Sequence, residues 1–327
     1  MIRRDRRVFI AASGLALIGG CATPLDPFTP AVDDVAEGDR KPVEGGIGGT
    51  GIVGVVTALG SIRVNGLRIG IADDTEVVNA FGPLPPSALR RGMSVTVEAA
   101  EAPGRLVARR VVIDHPLIGR VSRISPDGRR LRVLGTEVRL EPTVNAPIAE
   151  GDTVAVSGLW RRGAVVASRI DRLAEPGPSV MAGEIAAGTS GLALGGLTLS
   201  LPSGTALTPG QFATLIGQPD GTRFDVARLR PARFVGAAGP LVRLSVEGYL
   251  SVIERAPGFA ISGLGHSFDR GARLAGLSDD RAVFVGPYAQ TFRVAAALPL
   301  PTSPWARARA LSDMTPLQDR PDALSTR

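Results

Sequence analysis

The sequence predicts an all-β protein of tandem small OB-like barrels, about four repeats of roughly 65 residues. Three observations carry this. Glycine and proline are abundant (41 and 26 of 327 residues), which favours many turns and short strands over long helices. A glycine inside a short apolar strand recurs at Gly54, Gly119, Gly183 and Gly248, at intervals of 64 or 65 residues. Each of these is followed by a short run of alternating apolar and polar residues, the pattern of a half-buried hairpin. With 44% hydrophobic residues the chain can bury a core, and its length allows roughly two to four compact units.

The elements follow in the same order in each repeat. The first hairpin is Ile62-Arg63-Val64-Asn65-Gly66-Leu67-Arg68-Ile69. Asn65-Gly66 suits a type I′ turn, whose two central residues need positive φ. Ile62, Val64, Leu67 and Ile69 then share the buried face, and Arg63 and Arg68 face water. Counterparts are 131–140 around Gly135, 192–201 around Gly195-Gly196, and 259–268 around Gly263.

A third element reads as a helical turn ended by glycine and then a strand. It is Leu89-Arg90-Arg91-Gly92-Met93-Ser94-Val95-Thr96-Val97, repeated at 148–156 and more weakly at 207–215. A closing strand follows at 106–113, 165–170 and 224–229, and the last repeat matches least in its second half. Five short strands in this order fit a Greek-key barrel, in which curling removes exposed edges. The expected units are 50–115, 116–176, 177–231 and 232–298, after a flexible tether at 21–49 and before a loose tail at 299–327. The alternative is one large β-sandwich in which the period is accidental.

Three segments carry a resemblance: Gly45-Gly46-Ile47-Gly48-Gly49-Thr50-Gly51, Ile62-Arg63-Val64-Asn65-Gly66, and 89–97. They resemble the bacterial domain-of-unknown-function family numbered 5666, well over 51–114, fairly over 117–173 and faintly beyond. The resemblance implies tandem small β-barrels on exported proteins, often lipoproteins. It implies no reaction and no ligand.

Residues 1–20 read as a processing signal. Arg3, Arg4, Arg6 and Arg7 precede an uncharged run from Val8 to Gly20, too short to span a bilayer, which takes about 20 residues. Leu17-Ile18-Gly19-Gly20-Cys21 resembles the lipobox of bacterial lipoproteins, and Cys21 is the only cysteine in the chain. By that resemblance Cys21 carries the lipid anchor, since several acyl chains hold a protein on a membrane without a transmembrane helix. Asp5-Arg6-Arg7-Val8-Phe9-Ile10 is also similar to a twin-arginine export signal, leaving both export routes open. Ala22 after the cysteine, by similarity to sorted lipoproteins, favours the outer membrane. The expected location is that membrane, facing the periplasm. Without residues 1–20, thirty-three basic residues stand against thirty acidic ones, so much of the net charge of +6 belongs to the signal.

Few side chains in the sequence are grouped as chemistry would need. One cysteine excludes a disulfide framework, and two histidines, His115 and His266, argue against a histidine metal site. Asp114 and His115 are neighbours on a strand and point to opposite faces. Asp73-Asp74 and Asp279-Asp280 lack the alternating oxygens of a calcium loop. There is no Gly-x-Ser-x-Gly elbow, and the glycine run at 45–51 lacks the Gly-Lys-Ser/Thr ending of a phosphate loop. No catalytic residue, metal or cofactor is expected.

Residues 90–173 hold 15 Arg against 9 Asp plus Glu, with Trp160 as their only aromatic. Nucleic acid, which calls for stacking aromatics in a basic groove, is not the expected partner. Trp160, Arg161 and Arg162 form the candidate ligand contact, because arginine beside tryptophan suits sugar or phosphate. The expected function is a non-enzymatic binding or scaffolding module, held on the membrane by its lipid, for an envelope protein or an anionic glycan. The alternative is a periplasmic hydrolase or a substrate-delivery subunit of one.

Overall fold

The structure is a computed structural model that describes residues 48–252, 259–264, 267–268, 280–289 and 291–318. The expected signal, Cys21 and the tether up to residue 47 lie outside the described residues.

A strand that serves two sides of a small closed sheet must bend, and the repeated glycine sits at that bend. In the first unit, β1 (Gly49–Ala58) pairs antiparallel with β5 (Ser94–Ala102) as far as Val55. From Val56 onward it pairs instead with β2 (Ile62–Val64). A Cβ on Gly54 would stand 2.1 Å from Asn65 Oδ1, so a side chain there would push the hairpin off the strand. The Asn65-Gly66 turn has the expected positive φ, +54° and +80°, and leads into β3 (Leu67–Gly70).

β3 lies parallel to β6 (Arg105–Asp114), which pairs antiparallel with β5 and closes the ring β1-β2-β3-β6-β5. That is the order of a five-stranded OB barrel. A short β4 (Glu76–Val78) adds to β6, and a 3₁₀ turn spans Pro86–Ala88.

The second unit repeats the ring with β7 (Leu117–Ile124), β8 (Arg130–Val133), β9 (Thr136–Leu140), β10 (Thr153–Arg161) and β11 (Ala164–Arg172). Its third and fifth strands, β9 and β11, are again parallel, and β10 again pairs with β7. The third unit has β12 (Ser179–Glu184), β13 (Ala186–Gly188), β14 (Gly191–Leu194), β15 (Leu197–Ser200), β16 (Phe212–Asp220) and β17 (Arg223–Arg230). Its first strand is split at Ile185, and β15 runs parallel to β17. The fourth unit has β18 (Leu241–Val252), β19 (Phe259–Ile261), β20 (Ser267–Phe268), β21 (Arg281–Ala289), β22 (Thr291–Phe292) and β23 (Ala296–Pro299). There β22 and β23 share one antiparallel partner, β21.

The glycine before each fourth strand is a tight turn rather than the expected helical turn. Gly92, Gly151 and Gly210 have φ of +88°, +93° and +88°. Each donates its amide over 2.8 Å to the carbonyl of Val56, Val121 or Ile185, two residues past the repeated glycine. One hydrogen-bonded latch thus recurs in three units, and left-handed glycine is what it requires.

The barrels are not independent beads. β1 pairs in parallel with β18, joining the first unit to the fourth, and β7 pairs antiparallel with β12, joining the second to the third. The second and third share one apolar core that includes Leu117, Val154, Trp160, Met181, Leu215 and Phe224. Asn65, fully buried, donates from Nδ2 to Val53 O at 3.0 Å and to Ser245 O at 3.1 Å across the first–fourth junction.

The expected loose tail is corrected over 304–318, where α1 (Pro304–Gln318) forms. Its Leu311 is buried against Val283, Val285 and Leu300, and Ala306, Ala308 and Ala310 favour helix.

Candidate functional site

Burial of carboxylates decides where the units meet. Glu247 in β18 and Glu141, just after β9, each lie inside the protein, with 2% and 7% exposure. A buried charge needs a partner. Arg281 at the start of β21 supplies it: Nε meets Glu247 Oε1 at 2.8 Å and Nη1 meets Glu141 Oε1. The other Glu247 oxygen accepts the Val55 amide at 2.9 Å. Arg307 of α1 reaches Glu141 Oε2 at 2.8 Å. Burial opposes the Arg281 charge, but Glu247 and then Glu141 more than offset this and hold its proton more tightly than usual. This network ties the first, second and fourth units and α1 together.

Above the network opens a cleft of about 820 Å³, lined by the first, second and fourth units and by α1. Arg63 of β2, Arg91 in the Gly92 turn and Arg169 of β11 line it. Arg169 is held by Asp171, with Nε to Oδ2 at 2.7 Å, and its Nη1 donates to Arg91 O at 3.4 Å. Ser168 Oγ donates to Gly92 O at 2.7 Å, so the second unit grips the turn that carries Arg91.

A second buried junction holds the segment between β17 and β18. Arg233 pairs with Asp114 Oδ2 at 3.0 Å, donates to Thr96 Oγ1 at 2.9 Å and lies 3.8 Å over the Phe212 ring. Glu98 accepts the amides of Val235 and Ala237 at 2.8 and 2.7 Å. Asp114 is therefore a brace. His115 beside it is buried, and its Nδ1 has no hydrogen-bond partner among the described residues. Burial pushes its pKa below the usual value, partly opposed by Asp114 and Asp171.

The expected ligand cluster is split. Trp160 is 8% exposed, donates its indole N–H to Ala182 O at 2.7 Å and is hemmed in by Gly183 and Gly263. Its ring is part of the core where the second, third and fourth units meet, and offers no face to a sugar. Arg161 lies 5.1 Å over the Tyr249 ring, and exposed Arg162 has φ +50° in the turn before β11. His266 and Asp279 lie outside the described residues, and Asp74 pairs with Arg109 at 2.9 Å. Among the described residues no group of three His, Cys, Asp or Glu could hold a metal, and no helix is long and apolar enough to cross a membrane.

Sequence reasoning missed the Glu141–Arg281–Glu247–Arg307 network. Its signal was present: Glu247 is a lone acid inside the apolar run Leu244-Ser245-Val246-Glu247-Gly248-Tyr249-Leu250.

Fold and site together define an all-β protein of fused OB-type barrels braced by buried ion pairs. Residues 50–112 and 118–171, the first two barrels, match the family described as "Domain of unknown function (DUF5666)". No curated protein and no solved structure matches the chain.

Proposed function

We propose that the protein is a non-enzymatic binding or scaffolding module for an anionic polymer of the cell envelope. In this reading it is exported and held by lipid on Cys21 at the outer membrane. The observation that carries the reading is how folding sorts charge. Between residues 90 and 173, ten arginines are exposed but only three acids are, Glu101, Asp127 and Glu150. Glu98 and Glu141 are taken into the junctions, and Asp114, Asp152 and Asp171 are partly covered.

The arginines concentrate on the outward face of β7, β8 and β9. Arg123 lies directly opposite Arg132, and Arg130 opposite Arg139. Like charges facing each other across strands destabilise a sheet, so a face built this way favours an anionic partner that relieves the repulsion. Glu137 is the one acid among them, paired with Arg139 at 2.5 Å.

Retention of the purified protein on an alginate resin tests the reading. Strong retention at low salt, lost in Arg123→Glu/Arg130→Glu/Arg132→Glu, is expected, with release as salt rises. Equal retention of the triple variant removes this face from the reading. For the anchor, Cys21→Ser loses labelling by a fatty-acid probe and moves to the soluble fraction; unchanged labelling refutes it.

A further inference from the structure

We propose that the cleft between the first, second and fourth barrels and α1 is a site for a sugar-sized ligand carrying two phosphate or carboxylate groups. This rests on the reading of the protein as an anion-binding module, but uses residues other than the arginine face.

The charge within the cleft carries the argument. Of its lining residues, Glu141 and Glu247 are neutralised by Arg281 and Arg307, and Arg169 is held by Asp171. Two cations remain. The guanidiniums of Arg63 and Arg91 have no hydrogen-bond or ion-pair partner among the described residues. Arginine presents a planar fork that takes an oxyanion in bidentate fashion, so two uncommitted arginines suit two anionic groups.

The backbones that carry them are fixed. Arg63 is in the middle of β2, paired across the hairpin with Arg68. The Arg91 turn is clamped by Ser168 and Arg169, and a Cβ on Gly92 would stand 2.9 Å from Ser168 O. Positioning of this kind lowers the ordering cost of binding. Thr143, Asn145 and Ser312 supply neutral polar groups for hydroxyls, and the N-terminal turn of α1 adds a partial positive charge at Pro304. The volume, about 820 Å³, lies within the range of small-ligand clefts.

Calorimetric titration of the full chain in detergent at low salt, with glucose 1,6-bisphosphate, digalacturonate and glucose, tests the site. The two dianions are expected to bind and glucose is not. Arg63→Gln/Arg91→Gln is expected to weaken dianion binding at least tenfold at unchanged melting temperature, while Arg105→Gln, at an exposed arginine outside the cleft, leaves it unchanged. Thr143→Trp, which puts a bulky side chain on the lining of the cleft, is expected to block binding without removing any charge. Equal binding of glucose, or full affinity in both the double arginine variant and Thr143→Trp, overturns the inference. If the dianions fail to bind while the chain is still held on alginate resin, the cleft inference falls and the binding reading stands. Failure of both removes the binding reading as well.

Discussion

His115 is the residue whose chemistry the fold disturbs most plainly. It follows Asp114 at the passage from the first barrel to the second, is buried, and has a ring nitrogen, Nδ1, without a hydrogen-bond partner among the described residues. Burial favours its neutral form, and Asp114 and Asp171 offset only part of that. Its folded pKa is below its unfolded pKa, so the unfolded chain takes up the proton first as pH falls. The stabilising contribution is complete above the unfolded value, about 6.5, and is lost as pH falls from there through the lower folded value. Denaturant midpoints at pH 7.5 and 5.0 should therefore show a larger acid loss in the parent than in His115→Phe, where a ring of similar size does not titrate. Equal loss in the two proteins would show that His115 contributes nothing to the acid response.

At the scale of the element, the bent first strand decides whether a barrel closes. Gly54→Ala would place a Cβ 2.1 Å from Asn65 Oδ1, whereas Gly70→Ala meets nothing closer than Leu106 O at 3.5 Å. The first substitution is expected to cost about 2–3 kcal/mol as an overpacked core site, and the second well under 1 kcal/mol. Urea unfolding of both variants compares them; similar midpoints would mean that the bend does not need glycine. This element was legible in the sequence because the glycine, the hairpin and the Gly92-type turn recur in register.

Other features at this scale were hidden for physical reasons. A second close approach lies in the fourth strand, where a Cβ on Gly158 would stand 2.2 Å from Val166 O and one on Gly217 would stand 2.0 Å from Asp225 O. The first barrel has Ala99 at the same register shift, so the glycine pattern does not repeat there. α1 was obscured because Pro299, Pro301 and Pro304 crowd its start and, over 304–313, Leu311 is the one buried side chain. Trp160 stands beside two arginines in the sequence, yet period two along β10 places it on the face of Val154 and Val156, which is the core face.

At the scale of the whole molecule, the chain order and the sheet order differ. Nothing local signals that the first barrel pairs with the fourth unit, because β1 and β18 are separated by the two barrels between them. The pairing is held by Asn65 and by carboxylates that have left water, and those carboxylates make the junction sensitive to one cation. Arg281 serves Glu141 of the second barrel and Glu247 of the fourth at once. Arg281→Met keeps the apolar stem, strands the Glu247 charge and leaves Glu141 to Arg307 alone, a change that typically costs about 3–5 kcal/mol for a buried pair. Because the loss falls between units, it should uncouple them as well as weaken them. Trp160 reports on the place where the second, third and fourth units meet once Trp305, exposed on α1, is replaced by Phe. In that background, thermal melts followed by Trp160 emission and by far-ultraviolet circular dichroism should coincide while Arg281 is present. With Arg281→Met, the emission should begin to change at a lower temperature than the circular dichroism, because parting of the fourth unit bares the side of Trp160 that Gly263 covers while the second and third barrels keep their strands. Coincident curves in the variant would mean that shared sheet pairing and apolar contact alone make the four units one cooperative body.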